Sequence, residues 1–404
     1  MNDFNVKNKT VIVRVDFNSE VDSQTKIVTN GVRICTHAQG TLKELIEKGA
    51  KIVVLSHQGR KGDIDYTDLK QHAEILERIL KCPVKYVDDL FGEKAKNAVK
   101  QLQEGEILVL ENVRSWPEET QKGTPEQQSK TNLVQNLAPL ADLFVSDAFS
   151  VAHRDNVSMI GFTAVLPSAA GRIMERELTQ LNKVLENPQH PCIYVMGGAK
   201  ADDSLEISKY FLNNNVADNL LLGGIISQLF MAAKGLSLGK GTMDFLAQKE
   251  LLKLIPGIQE LLTNYSDKVI LPVDVALNVD GKRIEIPVSH LPSEYPIFDI
   301  GTKTVEKYVK IISKAQSIVV SGPLGVYENN NFCYGTKTIF ETIANSKTSI
   351  LAGGGNTIAA LDKYGLTNKI SYISTAGGAL VEALMGKKLP GVVALETATE
   401  TKIR

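Results

Sequence analysis

The sequence predicts an α/β protein of two doubly wound parallel-sheet lobes, Rossmann-like in outline, joined by a long helix with a cleft between them. Three observations carry that expectation. At 404 residues the chain is too long for one ordinary hydrophobic core. Short runs that are apolar on both faces alternate with longer amphipathic runs almost from end to end, the pattern of parallel strands covered on both sides by helices. One long amphipathic stretch near the middle interrupts the alternation.

In chain order, Val11–Val15, Lys51–Leu55, Ile107–Leu110 and Leu143–Ser146 read as strands of a first lobe. His37–Lys48, Leu69–Leu80 and Phe91–Leu102 read as its helices. The interrupting stretch, Ser168–Leu185, takes Ser168 as its N-cap and stops at Asn187-Pro188. Further strands are expected at Ile193–Met196, Asn219–Leu222, Val269–Val273, Ser317–Val320, Ser349–Ala352 and Ser371–Ser374, with helices at Thr304–Lys314 and Thr336–Ala344. These readings divide the chain into a first lobe over 1–167, a hinge helix over 168–187 and a second lobe over 188–387.

Composition narrows the class. Lys and Arg number 45 against 46 Asp and Glu, so no whole-molecule field points to nucleic acid or membrane, and any anion site must be built locally. Cys35, Cys82, Cys192 and Cys333 are far apart with no metal-ligand spacing, as expected of idle thiols in a reducing compartment. The polar start, Met1–Thr10, does not read as a signal peptide, and no apolar run approaches the ~20 residues that span a bilayer. A soluble, cytoplasmic protein is the expectation.

In doubly wound sheets ligands bind beyond the carboxyl ends of the strands, so the residues that follow each strand matter most. In the first half these are Asp16-Phe17-Asn18, then Ser56–Arg60, Glu111–Arg114, and Asp147 with His153-Arg154 shortly after; Arg33 adds a further guanidinium. A single arginine is commonly an ion-paired surface residue. Arginines at several exits of one rim suit a multiply charged anion, because the planar fork pairs bidentately with phosphate and carboxylate. In the second half the exits are Gly197-Gly198-Ala199-Lys200, Gly223-Gly224, Gly322-Pro323-Leu324-Gly325, Gly353–Thr357 and Gly377-Gly378. Glycine admits a close approach of backbone N–H groups to phosphate, although a lone Gly-Gly is also an ordinary tight turn. Neither a GxxxxGK[ST] loop nor a GxGxxG fingerprint is present. An anion rim on one lobe and a nucleotide rim on the other suit phosphoryl transfer between two separately bound partners.

The motifs Arg14–Asn18, Ser56–Arg60, Leu110–Arg114, Asp147–Arg154, Gly197–Lys200, Leu271–Ala276, Ser321–Glu328, Gly353–Thr357 and Ser374–Ala379 resemble, in order and over the whole chain, those of the phosphoglycerate kinase family. Leu166–Arg172 and Ala199–Ser204 look like its archaeal branch. The resemblance implies a phosphotransferase acting between 1,3-bisphosphoglycerate with ADP and 3-phosphoglycerate with ATP, with Mg²⁺ carried mainly by the nucleotide. It implies that Asp16, Asn18, Arg33, His57, Arg60, Arg114 and Arg154 hold 3-phosphoglycerate, with Phe17, Gln58 and Gly59 beside them. Gly197, Gly198, Lys200, Gly224, Pro323, Glu328 and the loop Gly354, Gly355, Asn356 and Thr357 would hold the nucleotide, Glu328 at the ribose. Arg33 and Lys200 would clamp the transferring group. The last residues, 388–404, would fold back on the first lobe, and the protein would be a monomer or weak homodimer.

Ser204 for a lysine and Ile225 for a glycine depart from the common family pattern as the archaeal type does; three further departures are Ser321 for Asn, Ala376 for Gly, and Asn356 for an Asp that approaches the metal in the common form. A neutral amide is a poorer ligand for a hard cation, so a catalytically weakened paralogue that binds phosphoglycerate or nucleotide is the competing expectation. A nicotinamide-dependent dehydrogenase, suggested by glycine turns alone, lacks the fingerprint.

Overall fold

The structure is a computed structural model that describes residues 1–403, with side chains described through residue 398. It divides into two compact units, one of residues 1–178 with the C-terminal segment from Lys388, the other of residues 179–387. Arg404 lies outside the described residues.

In the first unit, strands β1 (Thr10–Arg14), β2 (Lys51–Leu55), β3 (Val84–Tyr86), β4 (Ile107–Val109), β5 (Leu143–Ser146) and β6 (Ser168–Ala170) form one sheet in the order β3-β4-β2-β1-β5-β6. Every pairing is parallel. The strands lack a polar face because each feeds two cores. Val11 and Val13 of β1 join one apolar cluster, with Ile52 and Val54 of β2, while Ile12 joins the other, with Val53 and Leu55.

The second unit repeats the plan with β7 (Cys192–Met196), β8 (Asn219–Leu222), β9 (Val269–Ile270), β13 (Ser317–Ser321), β14 (Ser349–Gly353) and β15 (Tyr372–Ser374), ordered β15-β14-β13-β7-β8-β9 and again wholly parallel. Inserted between β9 and β13 is a three-stranded antiparallel sheet of β10 (Asp274–Val279), β11 (Lys282–Pro287) and β12 (Ile297–Ile300), ordered β11-β10-β12.

Several sequence readings need correction. Ser168 is not an N-cap: residues 168–170 pair with β5 as β6, and the helix begins at Arg172 and ends at Leu185. The pull of an open sheet edge outweighs the helical pattern of three small residues. The strand expected over Val269–Val273 stops at Ile270, and the chain turns into the unforeseen antiparallel sheet. The helix expected from His37 begins at Val32, runs through a π turn at Ala38–Leu42 and ends at Glu47. The helix expected over Phe91–Leu102 is shorter, Glu93–Lys100. No described helix is long and apolar enough to cross a membrane.

Candidate active site

Both parallel sheets change winding direction beside their first strand, between β1 and β5 and between β7 and β13. These are the points where loops part and leave a crevice at the carboxyl ends of the strands.

At the first switch point, Asp16 leaves β1 buried. Its carboxylate pairs with Arg33 and accepts a hydrogen bond from Ser150 Oγ, while Oδ1 accepts from Asn18 N–H at 3.0 Å. Burial alone would raise its pKa; the Arg33 guanidinium and the hydrogen bond from Ser150 work against that, and the carboxyl stays well below the usual range. His57 is also buried and receives a bond from Arg14 at Nδ1, 3.2 Å away. Burial first, and then the nearby arginines 14, 114 and 154 against the pull of Asp16, push its pKa well below 6.5, so the ring is neutral and orients rather than carries a proton.

Arg60 is exposed at the end of the loop after β2, and Arg114 and Arg154 are partly exposed. Burial, followed by repulsion from Arg154, Arg14 and Arg60, pulls the Arg114 guanidinium down to about 10. Burial and Arg60 act on Arg154 in the same direction. Guanidinium groups stay protonated, so this mutual repulsion is a standing excess of positive charge that a bound anion would relieve.

Three expected contact residues serve the frame. Phe17 is wholly buried, donates its N–H to Ser56 Oγ at 2.9 Å and accepts at its carbonyl from Ser19 Oγ at 2.8 Å. Gln58 is buried with both ends of its amide engaged by Ser19, Asp65 and His72. Gly59 donates to Asn18 Oδ1 at 2.8 Å and accepts from Arg114 Nη1 at 2.5 Å, locking the arginine to the loop. Arg14, the first residue of the first motif and absent from the expected site set, is fully buried and binds Ser158 Oγ at 2.8 Å as well as His57. A charged residue inside an apolar strand was the available signal.

At the second switch point the glycine turns pack on one another. Gly197 N–H donates to Ser321 O at 2.9 Å, Gly198 N–H to Pro323 O at 2.7 Å, and Gly224 N–H to Leu324 O at 2.7 Å. Gly224 has φ +55°, and a Cβ there would meet Gly198 N at 2.7 Å. Their N–H groups are therefore committed, and these turns contribute a surface without side chains rather than phosphate donors. The free donors lie at the start of the helix Gly355–Lys363, whose first-turn N–H groups have no intrahelical acceptor. Gly355 is open and Asn356 exposed, while buried Thr357 accepts from Gly322 N–H at 2.7 Å and ties this loop to the turn after β13.

Lys200, at the N-cap of helix Ala201–Asn213, is exposed. Glu328 is also exposed, two residues past the exposed apolar Val326. Pro323 is buried beneath the turn. The loop from Gly322 is held by buried Thr336, whose Oγ1 accepts the Leu324 N–H at 3.0 Å and the Gly325 N–H at 3.3 Å, and by Phe298 O, which accepts the Val326 N–H at 2.8 Å. No group of three or more His, Cys, Asp or Glu side chains that could hold a metal ion converges among the described residues.

The family model of phosphoglycerate kinase matches residues 1–387. The chain belongs to the phosphoglycerate kinase family. It is 44% identical over 404 residues to the phosphoglycerate kinase of Methanobacterium bryantii, covering all of this chain and 98% of that one. It is 44% identical over 396 residues to that of Methanothermobacter thermautotrophicus, covering 98% and 96%. These relatives are archaeal, in line with the Leu166–Arg172 and Ala199–Ser204 stretches. Among solved structures, the phosphoglycerate kinase of Pyrococcus horikoshii aligns with a TM-score of 0.87 at 38% identity over 99% of both chains.

Proposed function

We propose that this chain catalyses the Mg²⁺-dependent, reversible transfer of a phosphoryl group between 1,3-bisphosphoglycerate and ADP, giving 3-phosphoglycerate and ATP. The observation that carries the reading is the cluster of Arg14, Arg60, Arg114 and Arg154, like charges set near one another, with buried Asp16 beside Arg14 and Arg154. It fits a small, multiply charged acid in a chain of this family.

In this reading Arg60, Arg114 and Arg154 hold the phosphate and carboxylate of the glycerate. Asp16 and Asn18 fix its hydroxyl, and neutral His57 orients it. The N–H groups at Gly354–Thr357 take the nucleotide phosphates, Glu328 the ribose, and Mg²⁺ arrives on the nucleotide. A carboxylate oxygen of 3-phosphoglycerate attacks the γ-phosphorus of ATP as the bond to the β–γ bridging oxygen breaks; ADP leaves without a proton changing hands. No general base is required, because both nucleophiles are ionised at neutral pH. Positioning and charge stabilisation supply the rate. Lys200 and Arg33 supply charge to the transferring group. In this reading each substrate binds its own unit.

A coupled assay with Mg-ATP and 3-phosphoglycerate tests the proposal. Turnover on the order of 1–100 s⁻¹ is expected. Lys200→Ala should lower kcat by roughly 100-fold or more, with the KM for 3-phosphoglycerate within about twofold. Wild-type binding of both substrates without turnover would replace this reading with that of the weakened paralogue.

A further inference from the structure

The helix that starts at Val32 carries a row of polar side chains on one face: Arg33, His37, Thr41 and Glu44, spaced four, four and three residues apart. Each has a specific partner within the first unit. Arg33 pairs with the Asp16 carboxylate. His37 accepts the Asp16 N–H at Nε2, 3.2 Å away, and so carries its proton on Nδ1, which donates to Asp147 Oδ2 at 2.7 Å. The other oxygen of Asp147 accepts the N–H groups of Ile173 at 2.8 Å and Met174 at 3.3 Å, capping the helix Arg172–Leu185. Gly171 is glycine because any Cβ there would strike the Asp147 carboxylate.

Farther along the row, Thr41 Oγ1 accepts the Arg172 N–H at 2.7 Å, and Glu44 binds the Arg172 guanidinium at 2.5 and 2.7 Å. The π turn at Ala38–Leu42 lies where the start of that second helix docks; such turns are frequent at functional sites. The helix Arg172–Leu185 is also the segment through which the chain passes from the first unit to the second, the division falling at Leu178 and Thr179.

We propose that His37, Thr41 and Glu44 are positioning residues that couple the phosphoglycerate site to the start of the helix Arg172–Leu185. The row links Asp16, at one end, to Arg172 at the other through buried or part-buried hydrogen bonds with two-sided partners. An anion that draws Arg33 away from the Asp16 carboxylate frees the side chain of the residue whose backbone N–H His37 accepts, and the far end of the row registers the change. Thr41 and Glu44 contact nothing in the anion site, yet their loss weakens binding there.

The inference rests on the phosphoglycerate reading, and titration of 3-phosphoglycerate into the full chain without nucleotide separates the two. Failure of the wild type to bind removes the functional reading. If it binds, His37→Phe should raise Kd about tenfold and Thr41→Val about threefold, sizes typical of coupling through lost buried hydrogen bonds. Mg-ATP affinity should stay within about twofold, because the nucleotide site is untouched. Leu45→Ala, in the core on the same helix, serves as the control: it lowers the urea midpoint but leaves Kd unchanged. Thr41→Val is close to isosteric and keeps the test available should His37→Phe fail to fold. An unchanged Kd for Thr41→Val, or an equal rise for Leu45→Ala, overturns the coupling.

Discussion

Buried polar residues decide most of what the first unit can do. Arg60 is the most open of the clustered arginines, and in the proposed reading its side chain serves the ligand: Arg60→Ala should raise the KM for 3-phosphoglycerate at least tenfold while the KM for ATP stays within about twofold. Steady-state kinetics with each substrate varied would check it, and a change confined to ATP would reverse the assignment of the two sites. His72 gives a pH prediction. Fully buried, it donates Nε2–H to Gln58 at 3.0 Å, and burial pushes its pKa down to about 4. A depressed pKa means that the unfolded chain takes up a proton before the native one does. The contribution is whole above pH 6.5 and is lost as pH falls toward 4, amounting to roughly 3 kcal/mol for a shift of that size. His72→Gln should flatten that part of the stability profile in urea unfolding, and an unaltered slope would mean the ring titrates normally. The arginines and Asp16 were legible because they follow strands. The binding of Gln58 and Phe17 into the frame was not, since sequence cannot say whether a loop residue turns toward ligand or core.

Among the elements, the loop after β14 illustrates how a strand exit becomes a binding surface. Thr357 stands one residue past Asn356 and uses its hydroxyl to hold the Gly322 N–H of the neighbouring turn. Thr357→Val leaves that donor without its partner, a loss of about 1–3 kcal/mol. The KM for Mg-ATP should rise about fivefold or more with the KM for 3-phosphoglycerate unchanged; equal movement of both would show that the loop does not belong to the nucleotide alone. The glycine turns read correctly as turns but incompletely as donors. Gly197, Gly198 and Gly224 direct their N–H groups at neighbouring carbonyls, a pairing between β7, β8 and β13 loops that local sequence does not encode. For the same reason Ser168–Ala170 was misread. Small residues fit a helix start as well as an edge strand, and only the free edge of β5 selects the strand.

For the whole molecule, the division into units predicts separate unfolding behaviour. The C-terminal helix Pro390–Ile403 belongs to the first unit, where Gly391 N–H donates to Ala152 O at 2.9 Å and Leu389, Ala394 and Leu395 are buried. Deleting residues from 388 onward strips two buried leucines from that unit and should cost it about 4 kcal/mol or more. The single tryptophan, Trp116, lies in the first unit against Phe91 and reports it alone. Its fluorescence midpoint in urea should fall while a transition of the second unit, followed by circular dichroism, stays in place. A joint shift would indicate one cooperative body.

The sequence alone determined the class of the fold, the repetition of the parallel plan and the residue types at the strand exits. Hydrophobic periodicity and strand-exit residue types are local properties, and the ordered motifs carry the family. Tertiary structure decided which of those exits converge, because convergence depends on strand order. Only the placement of β1 between β2 and β5 sets Asp16 among the arginines, and only the return of His37 onto Asp147 joins residues 110 positions apart.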